Sequence, residues 1–587
     1  MQPSHPRRRR TTDVALTWGN IKQWSPATLD TAETTLREAR RSMLDLADEL
    51  ETMGLPKQWH GDASQASRTR LTNVTQDLKD LVAEVSAAYT AVCDAADGVR
   101  GVEQAVDAAQ EFATLHQLSI SADGTVSDMG PDIDTGNDHD NQVALDERQG
   151  WVTECVDRIE QALRKATDVD TDLGDVLEKI ELNRIHVGAG GLATASKLGE
   201  VEGDLTLLKP PEGATPSDSA AWWATMSPDE RKEIIANHPG WIGNRDGVDA
   251  TSRDLANRNI LSSRRDHVNT RISEIEKGFY LADGSFDPVY YGAHIDEYNE
   301  LREEKGAIGT LDGILAKPGQ HQLLGLDFST PRTQAIIANG NVDTADHVAV
   351  FTPGLTSTVE GIDGYNSNMA ELRTRSEEEL FRNGDNGTVA TVTWLDYQAP
   401  QWGTTFAGDS VALSGSAEDG GEDLADYFRG INASRLNDPD LTSLAHSYGS
   451  TTAGYGLQHE GTGVDRAVFF GSPGLGTSDL NDLQIPEGSA YYAEAKWDGV
   501  GDLARFGSDP TGLDGMQHLQ TGEATSADGR SWEGVSGHSS YLQDGSTSQY
   551  SMAQIVGGNP QGAIEGQNVG WFTDPIKSQP WIPGWLK

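Results

Sequence analysis

The run Leu441-Thr442-Ser443-Leu444-Ala445-His446-Ser447-Tyr448-Gly449-Ser450-Thr451-Thr452-Ala453-Gly454 passes from a strand-like half into a small-residue, helix-like half, with Ser447 at the join. Ala445 and Gly449 stand two before and two after that serine. In a sharp strand-to-helix turn those are the positions where a large side chain would collide. Such a turn lifts the Ser447 hydroxyl above the carboxyl edge of a sheet and sets it at a helix N-terminus, whose amides favour developing negative charge. By itself the small-x-Ser-x-Gly pattern is weak, arising by chance about once in a chain of this composition. Its surroundings give it weight.

From His321 onward, short β-rich runs alternate with helical segments and glycine turns, the texture of a mostly parallel sheet covered on both faces by helices. The patterning predicts strands near 323–328, 333–338, 347–352, 388–395, 441–445, 465–470 and 489–496. A strand buried on both faces reads as continuously apolar or β-branched. Val348-Ala349-Val350-Phe351 and Ala467-Val468-Phe469-Phe470 do so. The expected fold class is therefore α/β, with the serine turn in the middle of the sheet region.

A serine hydroxyl needs an imidazole base, and the imidazole needs a carboxylate to fix its tautomer and stabilise its cation. In a turn of this type the partners follow in the order Ser, Asp, His. The predicted strand ending Tyr491-Tyr492-Ala493-Glu494-Ala495-Lys496-Trp497-Asp498 offers Asp498, with Asp502 as its competitor. The loop Gly537-His538-Ser539-Ser540-Tyr541 offers His538, with His518 as the alternative. His446 adjoins the serine and is expected to pack or shape the pocket rather than act as base. Two amides must face the oxyanion, one from the residue after the serine and one from the loop after an earlier strand. Tyr448 supplies the first, and Leu355 or Thr356, in the turn Thr352-Pro353-Gly354-Leu355-Thr356-Ser357, the second.

With these residues in place, the chain resembles an α/β-hydrolase family of unassigned function found mainly in high-GC Gram-positive bacteria. The likeness runs from about Pro216 to Gly557. It is carried by Trp222-Trp223, Ile242-Gly243-Asn244-Arg245-Asp246-Gly247, Arg253-Asp254-Leu255-Ala256-Asn257-Arg258, Thr344-Ala345-Asp346-His347-Val348, Pro353-Gly354, Ala445-His446-Ser447-Tyr448-Gly449, Gly471-Ser472-Pro473-Gly474 and Gly537-His538-Ser539-Ser540-Tyr541. Alanine at 445 departs from the commoner glycine but stays small. The resemblance implies a serine-hydrolase fold with a Ser, Asp, His triad and leaves the substrate open.

Upstream the periodicity is helical. Leu29, Leu36, Met43, Leu46 and Leu50 mark one helix opened by Ser25-Pro26, and Leu71, Val74, Leu78, Leu81, Val82, Val85 and Tyr89 mark a second that runs toward residue 115. The bend between them, Trp59-His60-Gly61, resembles the WXG-type helical hairpins associated with type VII secretion, over about residues 12–117. The resemblance implies a helical protein partner and an export route. No Tyr-x-x-x-Asp/Glu signal follows the second helix, and a hinge in which the tryptophan caps the hairpin core and the glycine permits the turn accounts for both residues. Residues 122–145 read as a polar, acidic linker, helix resumes from Trp151 to Ile185, and Trp222-Trp223 opens a further helical stretch. The expected organisation is a hairpin over 1–120, an acidic linker and helices over 121–210, a helical segment packing on the sheet domain over 211–320, the hydrolase core over 321–560, and an aromatic tail over 561–587 containing Trp571-Phe572 and Trp581.

Composition narrows the function further. The 587 residues include 91 acidic and 45 basic side chains, a formal charge of -46, which repels phosphate backbones and anionic membranes. Nucleic acid is not an expected partner, and the cluster Arg7 to Arg10 reads as a solvated tail. No run of about 18 apolar residues suggests a transmembrane helix, and the arginines lack the apolar segment of a signal peptide. A cytoplasmic location or export by a type VII-like route remain the two expectations. Cys93 and Cys155 read as helical thiols, with a single bridge left open. Asp168-x-Asp170-x-Asp172 fails as a calcium loop because Leu173 and Lys179 occupy the glycine and glutamate positions. No cofactor or metal is expected. The leading expectation is a carboxylic-ester hydrolase acting on a small-molecule or lipid ester; peptidase, thioesterase and acyltransferase chemistry use the same groups. The competing class is an interaction or effector protein with the hydrolase fold as scaffold.

Overall fold

The computed structural model describes residues 15–52, 58–188, 191–401, 410–498, 500, 506–508 and 510–566. The chain divides into two units, one of residues 1–130, 152–212 and 221–232, the other of residues 131–151, 213–220 and 233–587.

The first unit is built on helices. A short α1 (Trp18–Ile21) is closed by a reciprocal cap, Thr17 accepting from the Asn20 amide while Asn20 Oδ1 accepts from the Thr17 amide at 3.1 Å. Helices α2 (Ala27–Thr52) and α3 (Asp62–Leu115) flank the Trp59-x-Gly61 bend. Gly61 has φ +110°, open to glycine at little cost. Trp59 is 41% exposed, so it does not cap a hairpin core. The apolar stripe expected on α3 is buried in part: Val82 lies in the core with Leu78 packed against it, while Leu81 faces solvent, and Ala83, Ala87, Ala91 and Ala95, spaced by four, are fully buried. Small residues let a neighbouring backbone approach: a Cβ on Gly199 or Gly203 of α5 (Leu192–Gly203) would fall 2.1 Å from Ala83 O or 2.2 Å from Ala87 O.

The acidic stretch read as a linker is structured. Strands β1 (Leu118–Ile120) and β2 (Val126–Asp128) pair antiparallel across a turn at Asp123-Gly124, whose Asp123 carboxylate accepts from the Thr125 amide at 3.2 Å. Helix α4 (Asp138–Glu181) begins thirteen residues before Trp151 because Asn137 caps it, accepting from the His139 amide at 2.8 Å and the Asp140 amide at 3.2 Å. The Asp168-Asp170-Asp172 run lies within α4, and Asp172 accepts from Thr206. Cys93 and Cys155 are unbridged helical thiols. Trp222-Trp223 ends rather than begins a helix, α6 (Pro216–Ala224), which starts at Pro216 where a missing amide hydrogen costs nothing. Helix α7 (Pro228–Asn237) follows.

The second unit holds helices α8 (Ala250–Gly278) and α9 (Pro288–Leu315), then strands β3 (His321–Asp327), β4 (Gln334–Asn339), β5 (His347–Thr352), helix α10 (Ile362–Arg382), β6 (Val389–Leu395), α11 (Ser410–Ala433), β7 (Asp440–His446), α12 (Tyr448–Gly456), β8 (Arg466–Phe470), β9 (Ala490–Ala493), β10 (Gln517–Leu519) and α13 (Thr547–Val556). All seven predicted sheet strands are present, shifted by a few residues at their ends. Among the described residues they form, with the short β10, an eight-stranded sheet in the order β10-β9-β8-β7-β5-β6-β4-β3. β4 runs antiparallel to both β3 and β6, and the remaining pairs are parallel. Every residue of β4 and β6 is buried. Alternate side chains of β5, β7 and β8 enter opposite layers: Val350, Ala445 and Phe469 pack with Leu424 and Phe428 of α11, while Phe351, Leu444 and Val468 pack with Met369 of α10 and Met552 of α13.

An edge strand exposes unpaired backbone groups that invite aggregation. β3 is such an edge, and side chains seal it. Asn244 accepts from the Leu326 amide at 2.7 Å and donates to Leu326 O at 2.8 Å, as a neighbouring peptide would. Asp254 accepts from the Leu323 amide at 2.7 Å, while Asn257 and Arg258 donate to Leu323 O and His321 O at 3.0 and 2.8 Å. The Asn244 and Asp254-x-x-Asn257-Arg258 motifs thus do the work of a missing strand.

Candidate active site

β7 ends at His446, and the chain turns into α12 through Ser447, which has φ +56° and ψ -132°. That left-handed conformation costs a non-glycine residue about 1–3 kcal/mol and is held only where its surroundings dictate it. They do so here by close approach. A Cβ at Gly449 would lie 2.3 Å from Thr352 O, and one at Gly354 would lie 2.6 Å from Ser447 Cβ. The Ser447 amide donates to Phe470 O at 3.1 Å, tying the turn to β8.

The structure brings Ser447, His538 and Asp498 together. Ser447 Oγ is 2.8 Å from His538 Nε2, and His538 Nδ1 is 2.9 and 3.0 Å from the two Asp498 carboxylate oxygens. A carboxylate only accepts, so Nδ1 carries the hydrogen and Nε2 presents its lone pair to the serine hydroxyl. Asp498 is reached by a sharp bend after β9: Trp497 has φ +68°, and the Asp498 amide donates to Ala495 O at 3.1 Å. Burial alone would push the Asp498 carboxyl upward, but the His538 hydrogen bond and charge, the Tyr541 hydroxyl and the Val500 amide outweigh it and hold it below the usual range. His518 sits in β10 with its ring against Tyr492, and it is His538 that meets the serine. Asp502 lies outside the described residues.

The loop bearing His538 is anchored twice. The Gly537 amide donates to Lys496 O at 2.8 Å, and His446 Nε2 lies 2.6 Å from His538 O. Since a carbonyl only accepts, His446 donates through Nε2. Burial and the neighbouring His538 charge lower the His446 pKa to about 4, so the ring stays neutral in this role. It stacks on Phe470 at 5.2 Å, which fits the expectation that it packs beside the site.

Three contributors were not anticipated. Tyr541 donates its hydroxyl to Asp498 Oδ2 at 2.5 Å and accepts from the Ala495 amide at 2.9 Å. Tyr397 donates to Pro353 O at 2.6 Å and stacks on the buried Tyr448 ring at 6.4 Å, bracing the Pro353-Gly354 turn. Gly471, with φ +57°, ends β8 where a Cβ would come within 2.8 Å of Asp498 Oδ2 and 3.1 Å of His538 Nδ1. The Gly471 and Tyr541 positions fall inside motifs already quoted, but nothing in a linear pattern says which carboxylate a hydroxyl three residues beyond His538 will meet.

For the oxyanion, Tyr448 is the first residue of α12, where helix amides lack intrahelical acceptors. The Thr356 amide is engaged by Pro400 O at 2.9 Å, with Thr356 at φ +64°. That leaves Leu355 as the second candidate donor. Among the described residues no three His, Cys, Asp or Glu side chains converge as metal ligands, and no helix is long and apolar enough to cross a membrane.

A central serine turn on a mostly parallel sheet, clad by helices on both faces, is the α/β-hydrolase fold, here preceded by a helical region. Residues 330–508 match the family model described as alpha/beta hydrolase. The uncharacterized proteins MT2140 and Rv2079 of two Mycobacterium tuberculosis strains are each 27% identical to this chain over 404 residues, covering 63% of this chain and 60% of theirs. The chain thus spans about 60% of the length of the curated relatives it matches. A solved structure, an arylesterase, aligns with 13% identity and a TM-score of 0.19, covering 32% of this chain and 58% of that one.

Proposed function

We propose that the protein is a serine hydrolase that cleaves carboxylic esters through an acyl-enzyme on Ser447. The observation that carries this reading is the relay from Ser447 Oγ to His538 Nε2, and from His538 Nδ1 to Asp498, at hydrogen-bond distances throughout. In the first half-reaction Ser447 Oγ attacks the ester carbonyl carbon as its proton passes to His538 Nε2. Asp498 stabilises the imidazolium, and the amides of Tyr448 and Leu355 receive the oxyanion. Collapse of the tetrahedral intermediate breaks the bond to the alkoxide, which leaves with the proton from His538. Water then repeats the sequence on the acyl-enzyme, with His538 as base, and releases the acid and the free serine.

A fluorophosphonate probe tests the reading. Ser447 should be labelled, and Ser447→Ala should lower kcat on short p-nitrophenyl esters by about 10⁴ to 10⁶ fold. Absence of labelling together with unchanged ester turnover in Ser447→Ala would overturn it.

A further inference from the structure

Helices α8 and α9 run antiparallel, pinned by Arg264 to Glu304 at 2.9 Å and Arg271 to Glu297 at 2.7 Å. At the level of the first pair the hairpin meets the sheet's carboxyl edge. The Arg264 guanidinium lies over the Phe328 ring just past β3, and Thr310 Oγ1 is 3.5 Å from Glu360 O in the connection after β5. β3 points the same way as β6 because both oppose β4, and β6 is parallel to β5 and β7. This is therefore the edge that carries Ser447. The fourteen residues from Arg264 to Gly278, at about 1.5 Å each, continue α8 for about 20 Å past that contact.

The tip of this stalk is ordered and apolar on its outside. Tyr280 and Phe286 bridge antiparallel, and Leu281 donates to Ser285 O at 2.8 Å. Asp287 starts α9 by accepting from the Val289 and Tyr290 amides at 3.0 Å. Phe279 packs inward on Tyr298 at 5.3 Å. The outer side chains Tyr280, Leu281, Phe286 and Tyr291 stay exposed, and Val289 is 80% exposed. Monomeric surfaces seldom gather large apolar groups in this way without a function.

Charge narrows what covers them. From Gly278 to Leu301, between Lys277 and Arg302, there is no lysine or arginine, but there are Asp283, Asp287, Asp296, Glu300 and Glu297, the last paired with Arg271. An anionic membrane, or a second copy carrying the same -46 charge, is repelled. A zwitterionic lipid surface presents choline ammonium groups outermost, which suit those carboxylates and the ring faces of Tyr280, Phe286 and Tyr291. The acyl boundary below accepts Leu281 and Val289. We propose that the α8–α9 tip seats on a choline-bearing lipid surface and brings the Ser447 edge to esters held in it. Delivery to the nucleophile rests on the ester-hydrolase reading; the seating does not.

Co-sedimentation of the full chain with phosphatidylcholine vesicles tests it. The parent and Ser447→Ala should both sediment with the vesicles. Leu281→Ser combined with Val289→Ser should reduce partitioning at least about tenfold while leaving turnover of a soluble short ester unchanged. Should the pair lose its fold, Val289→Ser alone, at the most exposed of these side chains, should still weaken binding. Failure of the parent to sediment, equal binding by the tip variants, or a requirement for phosphatidylglycerol would overturn the proposal. So would a soluble oligomer or protein complex abolished by the same substitutions in the absence of vesicle binding. Vesicle binding that persists while Ser447→Ala retains full esterase activity would leave the seating standing and remove the hydrolytic reading instead.

Discussion

Asp498 and Asp396 follow strands of the same sheet, β9 and β6, and both are withdrawn from bulk solvent, yet they are pushed in opposite directions. Asp498 meets donors on every side: the His538 ring, the Tyr541 hydroxyl and the Val500 amide. Its carboxyl stays ionised below the usual range. Asp396 is pushed up to about 7, first by burial and then by the negative charges of Asp246 and Asp423, with Arg253 offsetting only part. Burial penalises either carboxylate; the neighbours decide the sign. An ionised carboxylate is therefore recognised by the hydrogens aimed at it, and depth in the fold does not distinguish it from one whose pKa is pushed up to about 7.

The sharpest way to break this contrast is Asp498→Asn, which keeps the shape but removes the charge that fixes the His538 tautomer. On the esterase reading, kcat should fall about 10⁴-fold with the fold intact by circular dichroism. A loss under tenfold would mean that Asp498 does not serve as the triad acid.

Tyr541→Phe removes one donor and leaves the charge. Kinetics should show kcat down about tenfold with KM little changed, since the hydroxyl acts through Asp498 rather than on substrate. Stability gives a second readout. A carboxylate whose folded pKa is depressed contributes stability above its unfolded pKa, and that contribution is lost as pH falls through the folded value. With a donor gone the depression shrinks, so acid unfolding of Tyr541→Phe should begin at higher pH than in the parent, measured by denaturant midpoints between about pH 3 and 5.

The smallest effect belongs to Asp396→Asn. A raised folded pKa has the opposite sign: the stability it confers is full below the unfolded value near 3.8 and is lost as pH rises toward about 7. The substitution should leave Tm almost unchanged near pH 3, where both states hold the proton, and raise it by about 2–4 °C at pH 8. A Tm that falls at pH 8 would show that the Asp396 charge is satisfied in the folded protein.

The same distinction explains what was legible from the residues alone. Sheet strands such as Val348 to Phe351 announce themselves because burial on both faces demands unbroken apolar runs. Ser447 stands out because small neighbours flank it at the end of a predicted strand in the middle of the sheet region. Asp498 and His538 could be chosen from position and order, but their competitors could not be dismissed, since an acidic chain offers carboxylates at every bend. The linker reading of 122–145 missed β2 and the first turns of α4, because polarity was taken for lack of structure where Asp123-Gly124 and Asn137 spend it on a turn and a cap. The α3 packing face was read in part: Val82 is buried as expected, but following hydrophobic size gave no sign of Ala83 and Ala87, where Gly199 and Gly203 approach.

Local chemistry written in the chain thus determined the α/β architecture, the strained serine and the candidate order of its partners, because pleat, helix period and turn sterics act over a few residues. Only the folded chain decided that Asn244 and Asp254 seal β3, that Tyr541 donates to Asp498, that the Thr356 amide is already engaged, and that an apolar tip stands past the edge bearing Ser447. Each of those depends on groups brought together from distant parts of the chain, and hydrogen bonds and electrostatic fields respond to distance in space.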